Sequence, residues 1–204
     1  MTMRPIQKWL TTILWVATVM AMVSVIGAGL WRRRELPVQK DAPPFALVDQ
    51  NGQPFTLANL RGKPWIADFV FTHCAGPCPV MTMKMRQLQK KIDDRDVQFV
   101  TFSVDPDRDT PPVLKEYAHN FDADESRWHF LTGSKEMIAA TSQGMLLAFE
   151  PSTGADSTTI THSTKFVLID SDGRIRQFYD SGDEREMTAL VQDAATLADD
   201  APGH

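Results

Sequence analysis

The chain has 204 residues, of which 43% are hydrophobic and 23% are charged. This length suffices for one well-buried domain with an additional segment, and it argues against two domains. Residues 41–204 contain 15 Lys and Arg against 25 Asp and Glu, a net charge of −10. Because phosphate binding requires a basic surface, this composition argues against nucleic acid as a partner.

The N-terminal segment is predicted to be a membrane anchor. Trp9 to Trp31 is a run of 23 residues without a charge, and a helix of this length crosses a hydrocarbon core of about 30 Å. A cleaved signal peptide and a lipoprotein signal are the alternatives. However, no A-x-A site follows the run and neither cysteine is near residue 30. We therefore expect residues 1–34 to be a retained single-pass anchor and residues 35–44 to be a linker.

The orientation of this anchor is not decided by its flanking charges. Arg4 and Lys8 precede the apolar run, but three arginines, Arg32 to Arg34, follow it. A count of basic residues would keep the C-terminal side in the cytoplasm, although a long folded domain can be translocated despite such charges.

The remaining residues predict alternating strands and helices. Asn51-Gly52 separates two short apolar runs, which indicates a β-hairpin. The elements expected after it are a strand over 64–71, a helix over 80–92, a strand over 97–102, a helix over 113–121, a strand over 128–131, a helix from the cap Ser134 to 145, a hairpin over 165–169 and 174–179, and a helix over 183–197. Residues 148–160 are expected to be a surface excursion, and residues 198–204 a flexible tail. This order predicts a thioredoxin-like α/β sandwich over residues 45–197, with a mixed sheet flanked by helices.

Both cysteines of the chain lie in one segment of this pattern. Cys74 follows the first buried strand, and Cys78 stands beside Pro79 at the start of the next helix. Unpaired N–H groups at a helix N-terminus favour a thiolate over a thiol, and thiolates serve both disulfide exchange and soft-metal binding. The alternative is a structural disulfide or two inert core cysteines. The strand, the Gly-Pro loop and the helix N-terminus instead predict an electropositive, partly exposed site.

Four histidines lie in the part of the chain that is expected to fold: His73, His119, His129 and His162. Their sequence context alone does not single out one of them as a metal ligand. His73 is adjacent to Cys74, but neighbours on an extended chain point to opposite faces and would not easily bind one ion together. His119 is expected to be solvated on its helix.

Two further patterns have both a functional and a structural interpretation. Met81 and Met85 share a helical face with the second cysteine, and thioethers suit Cu(I), but a methionine stripe at this spacing more often fills a core. The cluster of Asp105, Asp107 and Asp109 contains prolines and lacks the glycine and distal glutamate of a calcium loop. Helix capping is therefore expected for the cluster, with Asp105 a candidate for orienting groups near the thiols.

Four segments of the domain form motifs. They are Phe71-Thr-His-Cys-Ala-Gly-Pro-Cys-Pro79, Phe102-Ser-Val-Asp-Pro-Asp-Arg-Asp-Thr-Pro111, Leu114-Lys-Glu-Tyr-Ala-His-Asn-Phe121 and His162-Ser-Thr-Lys-Phe-Val-Leu-Ile-Asp170. Together they resemble the Sco/SenC family of membrane-anchored copper proteins that help to assemble cytochrome c oxidase. The resemblance covers essentially all of residues 41–195. Its specificity comes from the combination of C-x-x-x-C-P with S-V-D-P-x-x-D-T-P.

The resemblance implies a thioredoxin fold and one copper ion held by Cys74, Cys78 and His162. Thr161 precedes the histidine at a position where many relatives have an acid. The resemblance also implies a domain that faces the periplasm from the inner membrane, and as partner cytochrome c oxidase subunit II or another copper-delivery protein. A reversible disulfide between the two cysteines is expected when copper is absent.

Two classes of function follow from these residues. The first is a metallochaperone that assists assembly of the CuA site of the oxidase. The second is an enzyme, either a thiol–disulfide reductase of the oxidase copper-site cysteines or a peroxiredoxin-like peroxidase. Three residues between the cysteines, in place of the two of a C-x-x-C oxidoreductase, favour metal binding. The peroxidase is disfavoured because no separate resolving cysteine exists. The placement of Thr72 near Cys74 is nevertheless similar to that in peroxidatic loops.

Overall fold

The computed structural model describes Trp9, residues 13–22, Ser24, and residues 36–93, 96–145 and 164–201. The chain divides into two units, Met1–Glu35 and Leu36–His204. In the first unit the described residues are helical and their large apolar side chains are exposed. No helix within the described residues is long and apolar enough to span a membrane, and part of the predicted anchor lies outside them.

The second unit contains eight described strands and four described α-helices. The strands are β1 (Lys40–Asp41), β2 (Ala46–Val48), β3 (Pro54–Thr56), β4 (Trp65–Val70), β5 (Gln98–Ser103), β6 (Trp128–Leu131), β7 (Lys165–Ile169) and β8 (Arg174–Asp180). The helices are α1 (Cys78–Lys91), α2 (Pro111–Asn120), α3 (Lys135–Gly144) and α4 (Glu184–Asp199), and a short 3-10 helix spans Leu57–Leu60.

Six of the strands form one mixed sheet in the order β1-β8-β7-β4-β5-β6, and β2 and β3 form a separate antiparallel hairpin. β4 is parallel to β5, and β5 is parallel to β6. The pairs β4–β7, β7–β8 and β1–β8 are antiparallel. The two central parallel strands are buried along their whole length, as expected for strands covered on both faces.

Side chains alternate between two apolar layers, one on each face of the sheet. On β4, Ile66 and Val70 pack with residues of α1, α2 and α4. Ala67 and Phe69 point to the other face and pack with α3 and the hairpin. The predicted mixed sheet flanked by helices is therefore confirmed.

The predicted strands and helices are present, with boundaries shifted by a few residues. The cysteine helix begins at Cys78, two residues earlier than predicted, and Pro79 lies in its first turn, where the missing N–H costs little. The Ser134 hydroxyl accepts from the Met137 N–H at 3.2 Å, as predicted for a cap. Gly52 in the first hairpin has φ of +74°, the conformation that this turn requires. The predicted surface excursion at 148–160 lies outside the described residues.

The structure places residues 36–44 in the domain, where the sequence predicts a linker. Leu36 is buried, and its carbonyl oxygen accepts from Arg176 Nε at 3.0 Å. β1 adds a short strand to the edge of the sheet beside β8. At the other end of the chain, α4 runs to Asp199 and Ala198 is buried, so the helix continues beyond the predicted start of the tail. The sequence did not predict these boundaries because single apolar residues near the end of a domain form no periodic pattern.

Candidate metal centre

The two cysteines lie at the carboxyl end of β4. Because β4 and β5 are parallel, the loop after β4 and the loop after β5 meet at the same edge of the sheet. The Val104 N–H donates to the Val70 carbonyl oxygen at 2.9 Å and joins the two loops. Cys78 is the first residue of α1, and both cysteines are free thiols.

Both thiols are buried, which corrects the prediction of a partly exposed site. Cys74 is 8% exposed and Cys78 is 0% exposed, and both belong to the apolar layer under α1. Met81 and Met85 lie in the same layer and are 1% and 0% exposed, consistent with core packing. The thiols are buried because three helices cover this face of the sheet, an arrangement that local sequence does not display.

The two thiols differ in acidity. Burial raises the pKa of Cys74, but hydrogen bonds from the Cys78 thiol and from the N–H groups of Cys78 and Gly76 together hold this pKa below its usual value. The Gly76 nitrogen lies 3.4 Å from the Cys74 sulfur. Burial, followed by the neighbouring Cys74 thiol, raises the pKa of Cys78 to about 12. Cys74 is therefore the more acidic thiol of the pair, whereas the position of Cys78 at a helix N-terminus led us to predict the more stable thiolate there. Burial outweighs the favourable N-terminal dipole.

Asp68 is a buried acidic residue on the same face of β4 as Ile66 and Val70. It is 0% exposed, and no described donor completes a hydrogen bond with either carboxylate oxygen. Burial raises its pKa to about 7. Its negative charge also contributes to the raised pKa of Cys78. We did not predict a role for this residue, although a charged residue in the middle of an apolar strand was a visible signal.

The aspartate cluster contacts the cysteine loop through Asp109. The side chain of Asp109 is fully buried, and it accepts from the Thr72 hydroxyl at 2.5 Å, the Thr72 N–H at 3.1 Å and the Ser103 hydroxyl at 2.6 Å. The carboxylate of Asp105, the residue that we considered for this role, lies 3.5 Å from Arg108 Nη1. Asp109 was missed because Thr72, its partner in the cysteine loop, is 37 residues away in the sequence.

The described histidines occupy different environments. His119 is exposed on α2, as predicted. The ring of His129 on β6 packs against Phe55 with centroids 4.6 Å apart, and burial lowers the pKa of this histidine. His73 is exposed beside Cys74. His162 lies outside the described residues.

The described part of the predicted ligand set is the pair of thiols. No group of three or more His, Cys, Asp and Glu side chains within the described residues is arranged to hold a metal ion. Two adjacent sulfur donors, one of them favoured as a thiolate, nevertheless fit a soft cation such as Cu(I) or a borderline one such as zinc.

The sheet order and the thiol pair define a thioredoxin-like α/β domain with a C-x-x-x-C centre. The family model described as SCO1/SenC matches residues 34–198, and the chain belongs to this family. It is 32% identical over 166 residues to the SCO1 protein homolog of Bacillus subtilis (strain 168), covering 79% of this chain and 85% of that protein.

Solved structures of the same family share the fold. BsSco, a member of the Sco family of cytochrome c oxidase assembly proteins in which a disulfide switch was identified, is 29% identical with a TM-score of 0.71, covering 82% of this chain and 99% of that chain. Bradyrhizobium japonicum ScoI with copper bound is 30% identical with a TM-score of 0.60, covering 76% of this chain and 99% of that chain.

Proposed function

We propose that the chain is a copper metallochaperone that assists assembly of the CuA site of cytochrome c oxidase. The observation that carries this proposal is the buried thiol pair, in which a hydrogen bond from Cys78 helps to lower the pKa of Cys74. The copper-bound ScoI structure and the assembly role of the Sco family support it. The copper ion is cargo, which the chain receives and passes to oxidase subunit II or to another copper-delivery protein.

We propose Cys74, Cys78 and His162 as the ligands of this ion. Two thiolates and one imidazole suit copper, and three protein ligands leave a position open for a partner's ligand during transfer. Zinc accepts the same donors, so geometry and metal availability must separate the two metals. Because both thiols bind as thiolates, loading releases the proton of Cys78, whose raised pKa makes copper affinity increase with pH.

Residues 1–34 are proposed as a single-pass anchor in the inner membrane that holds the domain in the periplasm. The charge-free run from Trp9 to Trp31 supports this proposal, as do the exposed apolar side chains of the helical residues 13–22. A reporter fusion after residue 40 tests it. A reporter that is active only in the periplasm is the expected result, and activity of a reporter that works only in the cytoplasm would contradict the anchor's orientation.

The difference in pKa between the two thiols favours a second candidate function, a thiol–disulfide reductase of the oxidase copper-site cysteines. The Cys74 thiolate would attack a target disulfide and release one target thiolate, which takes up a proton. Cys78, after losing its proton, would then attack the Cys74 sulfur and release the second target thiol. The chain would end as a Cys74–Cys78 disulfide, and the target would gain two electrons and two protons.

Measurement of the bound copper, together with an assay of disulfide reduction, distinguishes the two functions. The full chain, purified under reducing conditions, is expected to hold one copper ion, and Cys74→Ser and Cys78→Ser are each expected to hold far less. A chain without stoichiometric copper that reduces an oxidised subunit II peptide catalytically would favour the reductase. The exposed His119→Ala is the matched control for loss of a histidine, and it should bind copper as the unchanged chain does.

A further inference from the structure

The segment between β4 and α1 begins with a tight turn. The Cys74 N–H donates to the Phe71 carbonyl oxygen at 3.3 Å, so Thr72 and His73 are the two central residues of this turn. From the sequence, His73 was not expected to bind an ion together with Cys74, because neighbours on an extended chain point to opposite faces. That premise does not hold here, since the chain is not extended between His73 and Cys74.

Asp109 fixes the hydroxyl hydrogen of Thr72. Thr72 Oγ1 donates to Asp109 Oδ1 at 2.5 Å, so this contact uses the threonine hydrogen. The carboxylate itself is held in place by the Thr72 N–H and by the Ser103 hydroxyl. Thr72 Oγ1 is therefore left with lone pairs to offer to any other neighbour.

The other neighbour of Thr72 Oγ1 is the ring of His73, whose Nδ1 lies 2.9 Å away. Because the hydroxyl hydrogen is already given to Asp109, Nδ1 must carry the hydrogen and donate it to Thr72. In this tautomer the lone pair of the ring is on Nε2. The side chain of His73 is 59% exposed, whereas that of Asp109 is fully buried. These hydrogen bonds, which we call the relay, thus connect the buried carboxylate of Asp109 through Thr72 to the exposed imidazole of His73 beside Cys74.

This arrangement is typical of metal-ligating histidines. Such histidines donate one ring N–H to a carboxylate or another acceptor, which fixes the tautomer and orients the other nitrogen toward the metal. For His73 this acceptor is the hydroxyl of Thr72, which in turn donates its hydrogen to Asp109. His73 is not among the three ligands proposed above for the bound ion, so a role for it belongs to copper in transit.

We propose that His73 is a transfer ligand, whose Nε2 binds the copper ion beside Cys74 while the ion enters or leaves the thiol pair, with Thr72 and Asp109 as positioning residues. This inference rests on the proposed metallochaperone function. On departure, the bond from copper to the Cys78 sulfur breaks and a bond to Nε2 forms. No electron is transferred, and the freed Cys78 thiolate takes a proton from water. Incoming ligands of the acceptor then displace His73, Cys74 and the remaining protein ligand, so that every bond from the chain to copper is broken.

The tautomer is tested in the metal-free full chain by long-range ¹H–¹⁵N correlation spectra of the histidine rings. The expected result is the Nδ1–H tautomer for His73, and loss of this preference in Thr72→Val, which keeps the shape of the side chain but lacks the hydroxyl. An Nε2–H tautomer for His73 in the unchanged chain would overturn the relay.

The transfer role is tested by loading the full chain with Cu(I) and following removal of the ion by bathocuproine disulfonate. The removal rate should fall about tenfold in Thr72→Val and at least as much in His73→Ala, with the rate changing more than the equilibrium affinity. His119→Ala should behave as the unchanged chain. An unaltered rate in His73→Ala, in a chain that binds Cu(I), would overturn the transfer role and leave the proposed function intact. An unchanged chain that binds no Cu(I) would overturn both.

Discussion

The hydroxyl oxygens of Thr82 and Tyr117 lie 2.9 Å apart in the interior, where α1 packs against α2. Thr82 Oγ1 is also 3.0 Å from the Cys78 carbonyl oxygen, to which it donates its only hydrogen. Tyr117 must therefore be the donor to Thr82. Its ring packs against Phe121 with centroids 4.8 Å apart. One buried chain of hydrogen bonds thus ties α2 to the first turn of the cysteine helix.

This chain predicts unequal effects of two conservative substitutions. Tyr117→Phe removes one hydrogen bond but leaves Thr82 bonded to the Cys78 carbonyl, so it should lower the free energy of unfolding by about 1 kcal/mol. Thr82→Val leaves the tyrosine hydroxyl buried without its acceptor, which should cost about 2 kcal/mol. Urea unfolding of both variants measures the difference. A larger loss in Tyr117→Phe than in Thr82→Val would be inconsistent with this donor order.

The buried carboxyl of Asp68 predicts a pH dependence of stability. Its pKa is raised from an ordinary value of 3.8 to about 7 in the folded chain. Between these two values the folded chain binds more protons at this group than the unfolded chain does, so the group's contribution to stability falls as the pH rises from about 4 to about 7. The total loss from this group is at most about 4 kcal/mol, and it stays constant at higher pH.

Asp68→Asn removes this titration. The free energy of unfolding of the unchanged chain minus that of the variant should therefore decrease from pH 4 to pH 7 and then level off, as measured by urea unfolding at each pH. The exposed Glu116→Gln serves as the matched control for loss of a carboxyl group. If the curves of the unchanged chain and of Asp68→Asn ran parallel over this range, the raised pKa would be wrong.

The fold could be predicted from the sequence because its signals are local. Apolar runs, the Asn51-Gly52 turn and the Ser134 cap each specify one element, and the order of elements then favours one architecture. The packing of Leu36 and the pairing of β1 could not be predicted in this way. Both depend on partners such as Arg176, which lies 140 residues away in the chain.

The candidate site was predicted in part. The spacing of Cys74 and Cys78 indicated a thiol pair, but the acidity of each thiol depends on burial by three helices and on the hydrogen bond between them. Asp68 stood out as a charge in an apolar strand, but its burial depends on the helices that cover β4. The contacts of Asp109 with Thr72 join two loops that are distant in sequence.

The order of thiol acidity predicts the order of alkylation. Cys74 should react with iodoacetamide at a lower pH than Cys78, because its thiolate is stabilised by hydrogen bonds whereas burial and its neighbour disfavour a thiolate on Cys78. Peptide mapping by mass spectrometry across a pH series gives the midpoint for each residue. In Cys78→Ala the midpoint of Cys74 should rise, because the thiol donor is lost. A midpoint that stays the same or falls in that variant would show that the Cys78 thiol does not stabilise Cys74.

The most direct test of the copper site is the increase in melting temperature that copper produces in the reduced full chain. A ligand that binds only the folded state raises its stability by an amount that grows with the logarithm of the ligand concentration divided by Kd, and His162 is proposed to be the one ligand outside the cysteine segment. We predict that one equivalent of Cu(I) raises the melting temperature of the unchanged chain and of His119→Ala to the same extent, and that His162→Ala loses most of this increase. An undiminished increase in His162→Ala, or its loss in His73→Ala instead, would contradict the proposed ligand set.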